Sequence, residues 1–274
     1  MGQYKQVISI AIILVLLVLS IYLFLFGPLF PFSPLIIGFK EKEYNKARIY
    51  YQQGDSTDEF CIVDSMIHDI ENFHHLTFKN KVEIFLTNSD NKYKHITGTM
   101  ARFITKPLYG RIFISDHAKI EYRNKKIHFE TYLKHELSHA ILYQNMSLTR
   151  SLSYPAWFLE GMAMVAANQA GTDGYYTYEQ TKEKIREGYF VEPDDWGTII
   201  SIKGKSVLYC KIENKYWFIY SEYALIIHNL IIQYGQDKLI EFLKESLTNH
   251  DFYHLFNTLF GQNFDIYLNS IKNQ

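Results

Sequence analysis

The hydrophobic pattern divides the chain near Lys40. No side chain between Lys5 and Lys40 is charged, and Val7–Phe26 (VISIAIILVLLVLSIYLFLF) carries polar atoms only at Ser9, Ser20 and Tyr22. As a helix this run would extend about 30 Å, the thickness of a bilayer's hydrocarbon core, which predicts a single membrane-spanning helix in contact with lipid. A cleaved signal peptide would have a shorter apolar core followed by small residues; the bulky, proline-broken FGPLFPFSP follows instead. Gly27 to Phe39 reads as a connector. Residues 1–39 are therefore expected to be anchor and connector, and residues 40–274 a separate domain. Lys5 and the terminal amine adjoin the apolar run directly, whereas Lys40, Lys42, Lys46 and Arg48 stand farther off. Weighting the adjacent charge places the N-terminus in the cytoplasm and the domain outside it.

Within the domain, short strand-like runs come first and helical spacing after. ARIYYQQ, KVEIFLT (Lys81–Thr87), GTMARFIT and GRIFISD (Gly110–Asp116) read as strands, the last two joined through Pro107 and Gly110. Ser56 to His75 has helical spacing, with Phe60, Val63, Met66, Ile67 and Ile70 on one side. Helices are then expected over Phe129–Gln144, from Pro155 in a first turn to about Asn168, and over Tyr178–Glu187. Tyr216 to the end is helical, broken near Gly235, Asn249 and Gly261. Strands followed by helices argue for an α+β fold.

Composition narrows the function classes. Of 274 residues, 47% are hydrophobic and 21% charged, which is globular. The net charge of −1 gives no basic surface for nucleic acid, so no nucleic-acid partner is expected. Cys61 and Cys210 are too far apart in sequence for a CxxC pair; one disulfide or two free thiols are both open.

The chemistry is concentrated in YLKHELSHAILY, Tyr132 to Tyr143. Residues four apart share a helix face, so His135 and His139 can offer two imidazoles to one point, a bidentate clamp for zinc. Glu136 is rotated off that axis. It is placed to take a proton from a metal-bound water and deliver it to a leaving amine.

A third ligand is sought downstream. A metzincin arrangement would need glycine and a ligand where Leu142 and Asn145 stand, and no inverted HxxEH occurs. Glu160, in YPAWFLEGMAMVA, is the only acidic residue between Glu136 and Asp173 and lies in an apolar run with no basic neighbour. A buried carboxylate needs a cation, and a metal would serve. Three protein ligands leave a fourth position open on one zinc ion per chain.

HELSHA followed by PAWFLEGMA resembles the gluzincins, zinc metallopeptidases with an HExxH helix and a downstream glutamate. In detail it is similar to the small, thermolysin-like peptidase MA-like domains. The likeness runs from about Lys81 to the end, and its sharp motifs are His135–His139 and Pro155–Ala163. The resemblance implies a thermolysin-like zincin domain with a small β-sheet before a mainly helical half. It also implies zinc ligands His135, His139 and Glu160, Glu136 as general base, and a polypeptide or peptide substrate. YSEYALIIHNLIIQYG matches a family helix in which a tyrosine recurs, which nominates Tyr220 as a catalytic phenol, with Tyr223 one turn on as the substitute. Related enzymes bind substrate as a strand added to a sheet edge, and GRIFISD is the candidate edge. One departure is Met164, where thermolysin-type enzymes place an aspartate that orients a histidine; such a group must come from elsewhere.

The expected function is thus a membrane-anchored, single-pass zinc metallopeptidase with its catalytic domain outside the cytoplasm. The alternative is a catalytically inactive metal-binding domain acting as an anchored interaction module. Loss of Glu136 or of a ligand would have favoured that alternative, and all four residues are present. An intramembrane protease would bury HExxH in a second span, whereas Glu130, Lys134 and Glu136 crowd the motif here.

Overall fold

The structure, a computed structural model, describes residues 2–273. Helix α1 (Gly2–Leu25) contains the one described helical segment long and apolar enough to cross a membrane, Tyr4–Leu25, with mean hydropathy 3.1 and none of it buried. Pro28 lacks an N–H and closes it. A 3₁₀ turn, Phe30–Phe32, leads into a mixed five-stranded sheet.

The strands are β1 (Lys40–Glu43), β2 (Ala47–Tyr51), β3 (Val82–Leu86), β4 (Phe103–Lys106) and β5 (Arg111–Ile114), in the order β1-β2-β3-β5-β4. The central pairs β2–β3 and β3–β5 are parallel, and both outer pairs are antiparallel. Helix α2 (Val63–His74) crosses from β2 to β3, and α3 (Asp90–Thr97) precedes β4. Next come α4 (Asp116–Arg123), α5 (Phe129–Asn145), α6 (Leu148–Ser153), α7 (Ala156–Ala166), α8 (Tyr178–Arg186), α9 (Pro193–Trp196) and α10 (Lys205–Tyr209). Helices α11 (Lys215–Tyr234), α12 (Gln236–Ser246), α13 (Phe252–Phe260) and α14 (Phe264–Lys272) complete the chain. The fold is α+β, with its sheet in the first half.

Side-chain alternation gives the sheet two buried faces. Ile49, Ile84, Ile112 and Ile114 join the main core with α2 and α5. On the other face Tyr50, Phe85 and Phe113 occupy matched register positions and stack, with ring centroids 4.7 and 4.8 Å apart. Phe30, from the connector, caps this row edge-on at 5.6 Å from Phe85. The Arg111 guanidinium donates to the carbonyls of Pro31 (3.2 Å) and Ser33 (2.6 Å) and pairs with Glu83 at 2.6 Å. The connector residues Phe30–Ser33 are thereby fastened to the sheet.

Three expectations change. GRIFISD is not the sheet edge. β5 lies between β3 and β4 with all four residues buried; the sheet's edges are β1 and β4, and the edge on this side is β4, whose residues alternate between buried and half-buried. β5 closes a tight hairpin with β4 and inserts beside β3, so its continuous apolar character reflects two covered faces. Asp116 is also not in the strand: Ser115 accepts a hydrogen bond from Ala118 N at 3.2 Å and caps α4. The helix expected from Ser56 starts later, at Val63, after a 3₁₀ turn at Asp58–Phe60. Both cysteines are free.

Two glycines set the spacing around the helix α5. At Gly110 (φ 65°), in the β4–β5 turn, a Cβ would lie 2.8 Å from the Ala140 carbonyl, so the hairpin rests directly on the backbone of α5. At Gly161 a Cβ would lie 2.6 Å from the Tyr223 carbonyl, so α7 and α11 cross with their backbones in near contact.

Candidate metal centre

Helix α5 runs through the middle of the domain, and every residue from His135 to Gln144 is buried. It brings His135, Glu136 and His139 to the floor of a cleft of about 890 Å³. Helix α7 supplies Glu160 to the same floor. Pro155 is the residue just before α7 rather than part of its first turn, with ψ 115°, so the helix begins at Ala156.

Three donor atoms meet. His135 Nε2 and His139 Nε2 are 3.1 Å apart, and each lies 3.2 Å from Glu160 Oε2. This near-equilateral triangle matches the spacing of ligands on a tetrahedral zinc ion, whose bonds of about 2.0–2.1 Å put neighbouring donors roughly 3.3–3.4 Å apart. The donor set, two imidazole nitrogens and one carboxylate oxygen, also suits zinc and other divalent transition metals. His135 Nδ1 bonds Gln169 Oε1 at 2.8 Å. An amide oxygen only accepts, so Nδ1 carries the proton and the Nε2 lone pair points at the triangle's centre. His139 Nδ1 is buried and has no partner among the described residues. The residues therefore fit a divalent metal in number, chemistry and spacing.

Gln169 fills the place left by Met164. Just beyond α7, Asn168 takes the left-handed conformation (φ 51°) and Gln169 N bonds Met164 O at 3.0 Å. That reversal carries the Gln169 side chain back over α5. The sequence reading missed it; a pair of amides, Asn168 and Gln169, directly after a buried apolar helix was the available signal.

Glu136 points into the cleft beside the triad. Thr105, on edge strand β4, donates to Glu136 Oε2 at 2.6 Å, and its oxygen also lies 3.0 Å from the Glu136 carbonyl. Thr105 too was missed. It shares a strand face with Phe103, and a hydroxyl where alternation calls for a hydrophobe was its signal.

Tyr220 and Tyr223 separate. The Tyr220 hydroxyl donates to Glu160 Oε1 at 3.2 Å, and its ring lies over His135 with centroids 6.2 Å apart. Tyr223 is fully buried behind it, does not line the cleft, and its hydroxyl has no partner among the described residues.

Charge balance follows from these contacts. Burial pushes the Glu160 carboxyl up, but His139, followed by the close approach of both histidine Nε2 atoms, outweighs it and holds the group ionised, well below the usual carboxylate range. Burial opposes charge on His139, yet Glu160 beside it, with Glu136, raises its pKa overall. Burial first and Glu160 second push the Tyr220 phenol far above its ordinary value, so it stays a proton donor. The arrangement can hold a divalent cation, keep a carboxylate within reach of it, and offer a phenol hydrogen to a developing negative charge.

No protein-family model matches the chain, and no curated protein matches it.

Proposed function

We propose that the chain is a membrane-anchored, zinc-dependent peptidase with a thermolysin-like domain, hydrolysing peptide bonds in the cleft above α5. The observation that supports this most is the convergence of His135, His139 and Glu160 on one point with Glu136 beside it, at the floor of an open cleft. Bound there, a zinc ion supplies Lewis-acid polarisation of a carbonyl and acidification of a water. His135, His139 and Glu160 hold it. Glu136 receives the proton of the attacking water and returns it to the departing amine, and Thr105 fixes which way that carboxylate faces. The Tyr220 hydroxyl, held protonated by burial, is available to the oxyanion. The free edge of β4 gives an extended substrate main-chain partners without regard to its side chains. The anchor is Tyr4–Leu25, and the charge pattern around it favours a domain outside the cytoplasm.

The test uses the full chain in detergent or nanodiscs. One zinc per chain is expected by metal analysis, together with cleavage of an unstructured protein substrate. Glu136→Gln should keep the zinc and lose hydrolysis. Zinc bound with no hydrolysis by wild type across a broad peptide library would support the non-catalytic alternative; failure to load zinc at all would end both readings.

A further inference from the structure

The rim of the cleft is unusually apolar on one side. Ile199 and Tyr216 line the cleft and are 42% and 57% exposed, and between them Ile200, Ile202, Leu208 and Tyr209 stand out into solvent. Over the same stretch Lys203, Lys205, Lys211 and Lys215 face a single acid, Glu213, in a chain whose net charge is −1. The loop is fixed to the cleft wall. Lys203 Nζ turns inward to the Trp196 carbonyl at 2.7 Å and sits 3.6 Å above the Trp196 ring, while Ile200 and Ile202 before it face out and Lys205, Lys211 and Lys215 carry the remaining positive charge.

Phe32 lines the same cleft. It is the seventh residue beyond the end of α1, and Phe30 and the Arg111 contacts clamp that connector to the sheet. Seven residues reach at most about 25 Å, so the part of the cleft lined by Phe32 lies within that distance of the anchor's end, and residues 199–216 border the same cleft. An exposed surface of isoleucine, leucine and tyrosine with a lysine excess has the chemistry of an interfacial membrane contact: apolar side chains enter the headgroup–acyl boundary, and ammonium groups meet anionic headgroups.

We propose that residues 199–216 dock on the anionic phospholipid surface of the bilayer that holds α1, so that the cleft opens along the membrane plane. If the peptidase reading holds, its substrates are polypeptide segments lying at that surface; the docking itself rests on the anchor and not on zinc or catalysis.

The experiment reads depth rather than activity. The full chain, with Cys61→Ser and Cys210→Ser, is reconstituted in vesicles of phosphatidylcholine with or without phosphatidylglycerol. An environment-sensitive fluorophore is placed at Ile202→Cys, at Val15→Cys within α1, or at Ile266→Cys on α14. Position 15 should be quenched by spin-labelled lipid in both vesicle types, and position 266 in neither. Position 202 should be quenched by headgroup-proximal spin labels in the anionic vesicles. Lys205→Glu with Lys211→Glu should reduce that quenching several-fold without moving position 15. Position 202 as open to aqueous iodide as position 266, while position 15 is lipid-quenched, would overturn the docking and leave the anchor standing. So would quenching at 202 that depends on protein concentration, which would mark contact between two copies. Intact folding of each variant is checked by an unchanged unfolding temperature.

Discussion

Thr105 Oγ1 lies 2.6 Å from Glu136 Oε2 and joins the β4 edge of the sheet to the carboxylate beside the metal triad. A hydrogen bond to a charged group contributes about 1.5–3 kcal/mol, and one that fixes a proton-transfer group acts mainly on turnover. Thr105→Val keeps the shape and removes the hydroxyl. Its kcat should fall about ten- to a hundredfold with zinc content unchanged, and Thr105→Ser should recover most of it. Equal turnover in Val and Ser variants would reduce Thr105 to packing.

Gln169 holds His135 through Nδ1, and loss of such a partner typically costs about ten- to a hundredfold in metal affinity. Gln169→Leu should weaken zinc binding by that factor in chelator competition, measurable without substrate. Gln169→Glu keeps an acceptor and should bind within a few-fold of wild type. A leucine variant with wild-type affinity would show that packing alone orients the ring.

The parts of the molecule that were legible in sequence are those with a period. His135, Glu136 and His139 share one helix, so their relation follows from helical geometry. Glu160 was reachable because an unpaired acid stood out in an apolar run. The breaks at Gly235 and Gly261 were likewise visible, and both glycines sit at helix junctions with φ of 86° and 70°. What stayed hidden depends on pairing across long sequence separation. Whether β4 or β5 forms the edge is decided by β5 inserting beside β3, which no local pattern encodes. β1 is a charged KEKE strand, exposed throughout, without the alternation that marks a half-buried strand. Thr105 and Gln169 reach the site only through the tertiary approach of a hairpin and a helix end. Gly110 permits the hairpin's approach to α5 and Gly161 the crossing of α7 with α11, and their role is visible only once the opposing backbones are in place.

His74 is fully buried on α2, its Nε2 2.7 Å from Ser138 Oγ. Burial, with a smaller contribution from His139, lowers its pKa from 6.5 to about 3. The folded state therefore refuses a proton that the unfolded chain accepts. Stability linked to His74 is intact above pH 6.5 and is lost as pH falls towards 3, at about 1.4 kcal/mol per pH unit. His74→Asn should be less stable at neutral pH yet lose stability less steeply between pH 6 and 4. Parallel slopes for the two proteins in denaturant titrations would show that His74 does not titrate with unfolding.

Tyr220 and Tyr223 sit one turn apart on α11 and make opposite predictions. The Tyr220 hydroxyl donates to Glu160 Oε1, so it has two separable roles: holding that carboxylate, or meeting the oxyanion in the transition state. Tyr220→Phe removes one hydrogen bond and almost no volume. If the hydroxyl serves the oxyanion, kcat should fall roughly a hundredfold or more, as on loss of an oxyanion-hole donor, with zinc affinity and KM little changed. If it only steadies Glu160, zinc affinity should fall and turnover per zinc-loaded molecule should stay the same. Tyr223 carries a buried hydroxyl without a partner among the described residues, which costs free energy in the folded state. Tyr223→Phe should therefore leave turnover unchanged and hold or raise stability, by about 1 kcal/mol. A large loss of turnover in Tyr223→Phe with none in Tyr220→Phe would reverse the assignment, and with it the path by which negative charge is met in the cleft.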